Sequence, residues 1–481
     1  MAFWDRLKPM DAHTADHGGN SLKRTLSWPH LVALGVGAIV GTGIYTLIGV
    51  GAERAGPAVI LAFVIAGLVC IFAALAYAEL STTIPASGSA YTYTYSIMGE
   101  GLAWIVGWAL ILEYTVVCAA VAVGWSGYAV GFLKGIGIVL PPELIAGPHA
   151  GGLINLPAVI ISMLVAALLA FGMRESAVLN AILVVVKILA LAAFVAIALP
   201  HFNIANFEPF MPHGFGSHEV KLPSGETVQR GVMAAAAIVF FAFYGFDAVS
   251  TAAEEAKNPG RDLTIGIVGS MIACILIYML VAASAIGSMP IAEFVSSGEP
   301  LAYIARKLGS PEASALIAGA AVVALPTVIL AFMFGQSRIF YVMARDGLLP
   351  TAMGKVNAKT GTPVIMTLFT GVIVSIIGGM FRLDEIAELA NAGTLVAFIA
   401  VGACLIVLRI KRPDLHRPFR APLYWVVGLG AILGCAYLFL SLPQATIIRF
   451  FIWTAIGVAV YLAYGAWNSR LAKAKLEGGE G

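Results

Sequence analysis

Two glycine-centred gaps and a few ionisable side chains carry whatever chemistry this sequence has. Gly41-Thr42-Gly43 lies in the middle of one apolar run, and Gly245 in the middle of another, two residues ahead of Asp247. Glycines around a threonine weaken a helix and release backbone N–H and C=O groups from its ladder. Within a bilayer such groups persist only where they line a cavity or are covered by protein. A helix broken there offers a positive end of free N–H groups and a negative end of free carbonyls. A zwitterion suits that pair of poles. Its carboxylate can meet the N–H groups near Thr42 and Gly43, and its ammonium the carbonyls near Ile39, Phe241 and Ala242. The plainer alternative, that glycines merely let helices pack closely, is weakened because the two gaps occupy corresponding positions, as in transporters built from repeats.

Lys187 is about ten residues from either end of the apolar run 177–199, roughly 15 Å at helical rise, too far for its stem to reach an interface. Its amine therefore faces the protein interior, at a cost of about 2.5–3.5 kcal/mol. Burial makes such an amine able to exchange a proton near neutral pH. An ammonium there can also stand where a bound metal cation would, bridging carbonyls of the first broken helix to a neighbour. A static internal ion pair is the simple alternative. Glu113, in Trp108-Ala-Leu-Ile-Leu-Glu113-Tyr114, is a second candidate proton acceptor, and Asp247 is a carboxylate at membrane depth. Glu79, near the end of its run, reads as structural. The charges of Ala252–Asp262 read as a solvated helix end, or as a gate with Arg338 or Arg345. Cys70, Cys118, Cys274, Cys404 and Cys435 sit singly in apolar stretches and read as packing residues, with no disulfide or metal spacing.

The elements that must hold these groups follow from composition. Of 481 residues, 60% are hydrophobic and 11% charged, against about 25% charged in soluble domains. A formal net charge of +2, without basic runs, excludes a nucleic-acid partner. Twelve runs are long enough to cross a bilayer as helices, which makes the chain an all-α polytopic membrane protein. The polar stretch before Leu31 offers no cleavable signal. Most of the 28 basic residues fall on the side that carries both ends, so both termini are expected in the cytoplasm. The organisation is then a tail at 1–30, a first five-helix repeat at 31–200, a second at 231–408, a helix pair at 422–467 and a tail at 468–481. His201–Arg230 is expected as a solvated outer loop, its three histidines too scattered for a metal motif. Thr82–Glu100 is expected as a pair of short interfacial helices.

The whole stretch from about Ser21 to Trp467 resembles the amino acid–polyamine–organocation superfamily, in particular bacterial members similar to the cationic amino acid transporters. The marks are Gly-Ala-Ile-Val-Gly-Thr-Gly-Ile44, Gly107-Trp108 with Glu113-Tyr114, Gly172–Ser176, Val186-Lys187, the long motif Tyr244–Pro259, and Gly335–Arg338 with Ala344–Leu348. The resemblance implies a LeuT-type fold of a ten-helix inverted repeat plus two peripheral helices. It implies a substrate held by its carboxylate at the first break and by its amine at the second, in a site made of Ile39, Gly41, Thr42, Gly43, Phe241, Ala242, Tyr244 and Asp247. It implies that Lys187 stands in for a sodium ion, and Lys187 and Glu113 are the expected proton-coupling groups. Ile329 falls where relatives place a side-chain-specificity residue. A bulky apolar group there crowds a long cationic side chain, so neutral amino acids are the expected substrates, imported by proton symport, with no cofactor or metal and no enzymatic step. Exchange shares these features. An amino-acid sensor would be expected to carry long soluble tails, and an ion channel repeated pore loops; neither is present in the sequence. The expected location is a bacterial cytoplasmic membrane, and nothing in the sequence fixes an oligomeric state.

Overall fold

The computed structural model describes residues 6–9, 26–84, 88–172, 177–221, 227–251, 256–357 and 363–477. The first apolar run comes in three pieces, α1 (Trp28–Ile39), α2 (Thr42–Tyr45) and α3 (Leu47–Ala55). Gly56, at φ +65°, and Pro57 then turn the chain into α4 (Val59–Thr83). A left-handed backbone without a Cβ penalty and a residue without an N–H suit that corner. Next come α5 (Ser89–Ile97), the 36-residue α6 (Glu100–Gly135), α7 (Leu156–Ala170) and α8 (Ala177–Ala198). The sixth apolar run is again divided, into α9 (Val232–Val239), a 3-10 stretch Phe240–Phe243 and α10 (Phe246–Thr251). Then follow α11 (Pro259–Ser288), α12 (Ile291–Phe294), α13 (Pro300–Lys307), α14 (Pro311–Arg345), α15 (Val364–Met380), α16 (Leu383–Lys411), α17 (Tyr424–Leu440) and α18 (Gln444–Val460), with short α19 (Ala466–Asn468) and α20 (Arg470–Glu477) after it.

Among the described residues, seven helical runs are long and apolar enough to cross a membrane, and five shorter apolar helices accompany them. Outward-facing Ile365, Phe369, Val372 and Ile376 recur at helical spacing on α15. An apolar stripe of that kind is solvated by lipid tails. α6 is the most buried of the long helices; it packs along α14 on one side and α16 on another, while α1 and α4 both lie on α11.

At the end of the bundle where α4 stops, buried polar clusters tie the ends together. Glu79 is 0% exposed and receives Arg409 through Nε (2.7 Å) and Nη2 (2.8 Å), the N–H of Ala421 (2.7 Å) and Arg417 at 3.2 Å. A planar guanidinium matched to both carboxylate oxygens is the strong form of such a pair. Glu100 accepts the hydroxyls of Tyr95 and Tyr461, both at 2.9 Å, and Arg6 at 3.3 Å.

Two expectations from the sequence change here. In place of an interfacial helix pair, the described part of Thr82–Glu100 holds one helix, α5, buried along its length. Its tyrosines explain this, since Tyr91 and Tyr95 spend their hydroxyls on Asp346 and Glu100 of neighbouring elements. Within the outer loop His201–Arg230, residues His218–Lys221 pair antiparallel with Thr227–Arg230 in a hairpin. Successive side chains of each strand point to opposite faces of that hairpin, and Val228, Gln229 and Arg230 are partly covered. Partial burial, and then Arg230 beside it, push the imidazole of the loop's His213 below its ordinary value. No group of three metal-ligating side chains is assembled among the described residues. The first run is interrupted at Gly41, as its glycines lead one to expect, and its outer half is α3. The motif residues Met173–Ser176 and the charged residues Glu254 and Glu255 lie outside the described residues.

Candidate functional site

The two interrupted helices touch at their gaps. α1 ends where Val40 turns extended (ψ 96°) and Gly41 adopts φ −151°, ψ −149°, and α2 restarts at Thr42. The second gap has Tyr244 extended (ψ 153°) and Gly245 at φ +108°, a backbone that a side chain rarely tolerates. Each gap needs a glycine for a second reason. A methyl group on Gly43 would stand 2.2 Å from Ala242 Cα, and one on Gly245 would stand 2.7 Å from the backbone of Ala38. Backbone therefore presses on backbone twice, in opposite senses.

The released carbonyls at the end of α1 can be traced one by one, as buried backbone groups require. The N–H of Val40 closes on Val36 O at 2.8 Å. Gly37 O accepts Lys187 Nζ at 2.9 Å. Ala38 lies against Gly245. Ile39 O accepts the Tyr278 hydroxyl at 2.8 Å, and the same hydroxyl stands 2.9 Å from Ala242 O. A phenol has one proton, so between two carbonyl acceptors lone pairs are always left over. On the other side of the gap, Tyr45 N closes on Gly41 O at 3.3 Å. The N–H groups of Thr42, Gly43 and Ile44 thus form the open end of the restarted helix.

Around this crossing the structure gathers Ile39, Gly41, Thr42, Gly43, Phe241, Ala242, Tyr244 and Asp247, all buried. Lys187 lies on one flank, 1% exposed, and its own carbonyl accepts the Tyr45 hydroxyl at 3.0 Å. The α8 backbone and side chain at Lys187 thereby grip both halves of the broken first helix. Asp247 accepts the Tyr114 hydroxyl from α6 at 3.3 Å. Glu113, one residue earlier, is buried against Gly393 of α16, and its Oε2 has no hydrogen-bond partner among the described residues. The hydroxyl oxygens of Thr42 and Thr46 are likewise without partners. Both face Gly124, where an added methyl group would stand 3.1 Å from each oxygen.

Ile329, the expected side-chain-specificity position, lies in α14. It is 0% exposed, and its carbonyl receives the Cys118 thiol at 3.6 Å. The side chain nearest the Gly41 gap is its neighbour Val328, whose Cγ2 would be 3.4 Å from a methyl group there. Helical rotation of about 100° per residue separates the two directions.

A family model described as amino acid permease matches residues 26–461. The chain belongs to the amino acid permease family. As an amino acid permease of the amino acid–polyamine–organocation superfamily it is a multi-pass membrane transporter. The permease is similar to a branched-chain amino acid permease, BcaP, of Bacillus subtilis (strain 168), at 44% identity over 96% of this chain and 97% of the relative. It is similar to a methylthioribose transporter of the same organism, at 39% identity over 98% of this chain and 100% of the relative. A vacuolar cationic amino acid transporter 4 of Arabidopsis thaliana is 35% identical over 82% of this chain and 65% of the relative.

Sequence reasoning missed four residues of this permease's crossing: Tyr278, Val328, Gly124 and Asn391 of α16, whose Oδ1 accepts the Tyr244 hydroxyl. Tyr278 and Asn391 left a faint signal, each being a hydrogen-bonding side chain inside an apolar span. Val328 and Gly124 left none, since neither type is unusual in a membrane helix.

Proposed function

We propose that the permease imports L-amino acids, neutral ones in particular, by proton symport and alternating access across a bacterial cytoplasmic membrane. In this reading twelve spans form a LeuT-type core of two inverted repeats, 31–200 and 231–408, with 422–467 peripheral and the tails 1–30 and 468–481 cytoplasmic. The observation that carries it is the contact of two broken helices at Gly43–Ala242 and Gly245–Ala38, which sets free N–H groups and free carbonyls side by side. That pair of poles takes a carboxylate at Thr42 and Gly43 and an ammonium at Phe241 and Ala242. Proton coupling is supported by a lysine amine on Gly37 O, where a sodium ion would otherwise neutralise the helix end, and by the partnerless oxygen of Glu113, at which a proton can sit. Val328 beside the Gly41 gap, Ile329 next to it and Phe332, whose ring lies 5.3 Å from that of Tyr114, are apolar and favour an aliphatic substrate side chain.

The deciding experiment is uptake by proteoliposomes of a radiolabelled panel of branched-chain, small neutral and cationic amino acids, with and without an inward pH gradient. Gradient-driven accumulation of neutral amino acids is the expected result. Uptake that requires internal amino acid and ignores the gradient would replace symport by exchange. Methylthioribose belongs in the panel, because the two unpartnered threonine hydroxyls also suit a ligand rich in hydroxyl groups.

If Thr42 and Gly43 hold the carboxylate, an amino acid amide should compete about 10–100-fold less well than the acid, the worth of hydrogen bonds to a charged group. Equal competition defeats the assignment. Widening the pocket by Ile329→Ser should improve competition by arginine and lysine about tenfold relative to leucine, in line with the value of a few methylene groups in an apolar pocket. An unchanged competition profile would transfer that role to Val328.

A further inference from the structure

Asn391 stands in α16, outside every group assigned so far to the substrate, and is wholly buried (0% exposed). Its Nδ2 donates to Ala237 O at 2.6 Å and to Ile238 O at 3.2 Å, and its Oδ1 accepts the Tyr244 hydroxyl. All three partners belong to the divided sixth run. The two carbonyls come from the last turn of α9, just before the 3-10 stretch Phe240–Phe243, and the hydroxyl comes from the extended residue that ends that stretch.

In an uninterrupted α-helix the carbonyls of Ala237 and Ile238 would accept the N–H groups of Phe241 and Ala242. The amide supplies both carbonyls with a donor from outside at the point where the helix gives way. A tighter 3-10 winding, with three residues per turn, then carries Phe241 and Ala242 to different directions around the axis. Tyr244 is fixed at the same time, with its ring 5.0 Å from that of Phe241. Two donors and one acceptor on a short planar group are what a primary carboxamide provides; a hydroxyl or carboxylate does not.

The geometry points to Asn391 as a positioning residue for the substrate's ammonium group. It sets where α9 stops, and so where the carbonyls of Phe241 and Ala242 aim. This inference rests on the amino acid reading above and deepens it, by separating the residue that builds the amine subsite from those that touch the amine.

The test uses the full-length permease in proteoliposomes and three probes that differ by one group: L-leucine, its des-amino analogue 4-methylpentanoate, and L-leucinamide. Asn391→Asp keeps the shape and removes both donors. It should weaken L-leucine and L-leucinamide binding by about tenfold or more, the loss of a charge-assisted contact, while 4-methylpentanoate changes less than twofold. Asn391→Ser, smaller and with one donor left, should show the same split to a lesser degree, and it serves should the aspartate variant fail to reach the membrane. A purely structural amide would weaken all three probes by one factor in both variants, and that result overturns the proposal. Wild-type protein that binds L-leucine no better than 4-methylpentanoate would remove the amine subsite itself, and the role of Asn391 with it.

Discussion

Lys187→Ala should abolish uptake driven by an inward pH gradient, by 100-fold or more in initial rate, about the loss expected when a buried charge-assisted hydrogen bond and its proton site go together. Gly37, Ala38 and Ile39 end a helix, and their carbonyls sum to a partial negative charge in a low-dielectric setting. Lys187 Nζ, 2.9 Å from Gly37 O, neutralises that end while protonated. Under proton symport, loss of that proton would leave the hydrogen bond without its charge and so weaken the hold of α8 on the first half-helix. Alanine leaves Gly37 O permanently without its donor. A second substitution separates charge from titration. Lys187→Arg keeps a cation that does not deprotonate in proteins. If Lys187 must cycle its proton, the arginine protein also fails to accumulate substrate while still reaching the membrane and binding it. Gradient-driven uptake at the wild-type rate in Lys187→Ala would dismiss the lysine as the proton-linked group.

Gly43→Ala is expected to eliminate transport, whereas Gly41→Ala, two residues earlier in the same motif, should retain at least about half of it. A general need for flexibility predicts equal damage from both, because each replacement costs the chain similar backbone freedom. The structure distinguishes them. A methyl group on Gly43 collides with Ala242 Cα at 2.2 Å and with the Cβ fixed to it at 2.5 Å, neither of which can swing aside without moving the backbone. A methyl group on Gly41 meets nothing nearer than Val328 Cγ2 at 3.4 Å, an ordinary contact. The two gaps must therefore part in Gly43→Ala, pulling the N–H groups at Thr42 away from the carbonyls at Ala242. Uptake rates, read beside melting temperature and gel-filtration profile in detergent, decide the matter. Equal losses in both variants would mean that the motif's glycines serve the helix and not the crossing.

These two cases show how far local sequence reaches. Gly41-Thr42-Gly43 and Gly245 mark the gaps within a residue or two, because glycine weakens a helix through its own backbone and needs no partner to do so. Lys187 betrays its inward direction for an equally local reason, since its stem is too short to reach either interface. The membrane class follows from composition, because a bilayer imposes one length and one polarity on every span.

Pairings are another matter. The Tyr278 hydroxyl reaches Ile39 O across 239 positions of chain and Ala242 O across 36. Asn391 reaches the last turn of α9 across 154 and 153. Val328, not Ile329, faces the Gly41 gap, since the rotation of α14 is set by its packing on α6. The burial of α5 depends on carboxylates that arrive from the starts and ends of other helices.

By itself the sequence determined that this chain spans a membrane, where its helices break and which ionisable groups lie inside, since each depends on energies that a segment settles with the solvent around it. Only the tertiary structure decided which gap meets which, which carbonyl each donor satisfies and which side chain borders the opening. Those outcomes are contacts between segments far apart in the chain, fixed by the way whole helices pack.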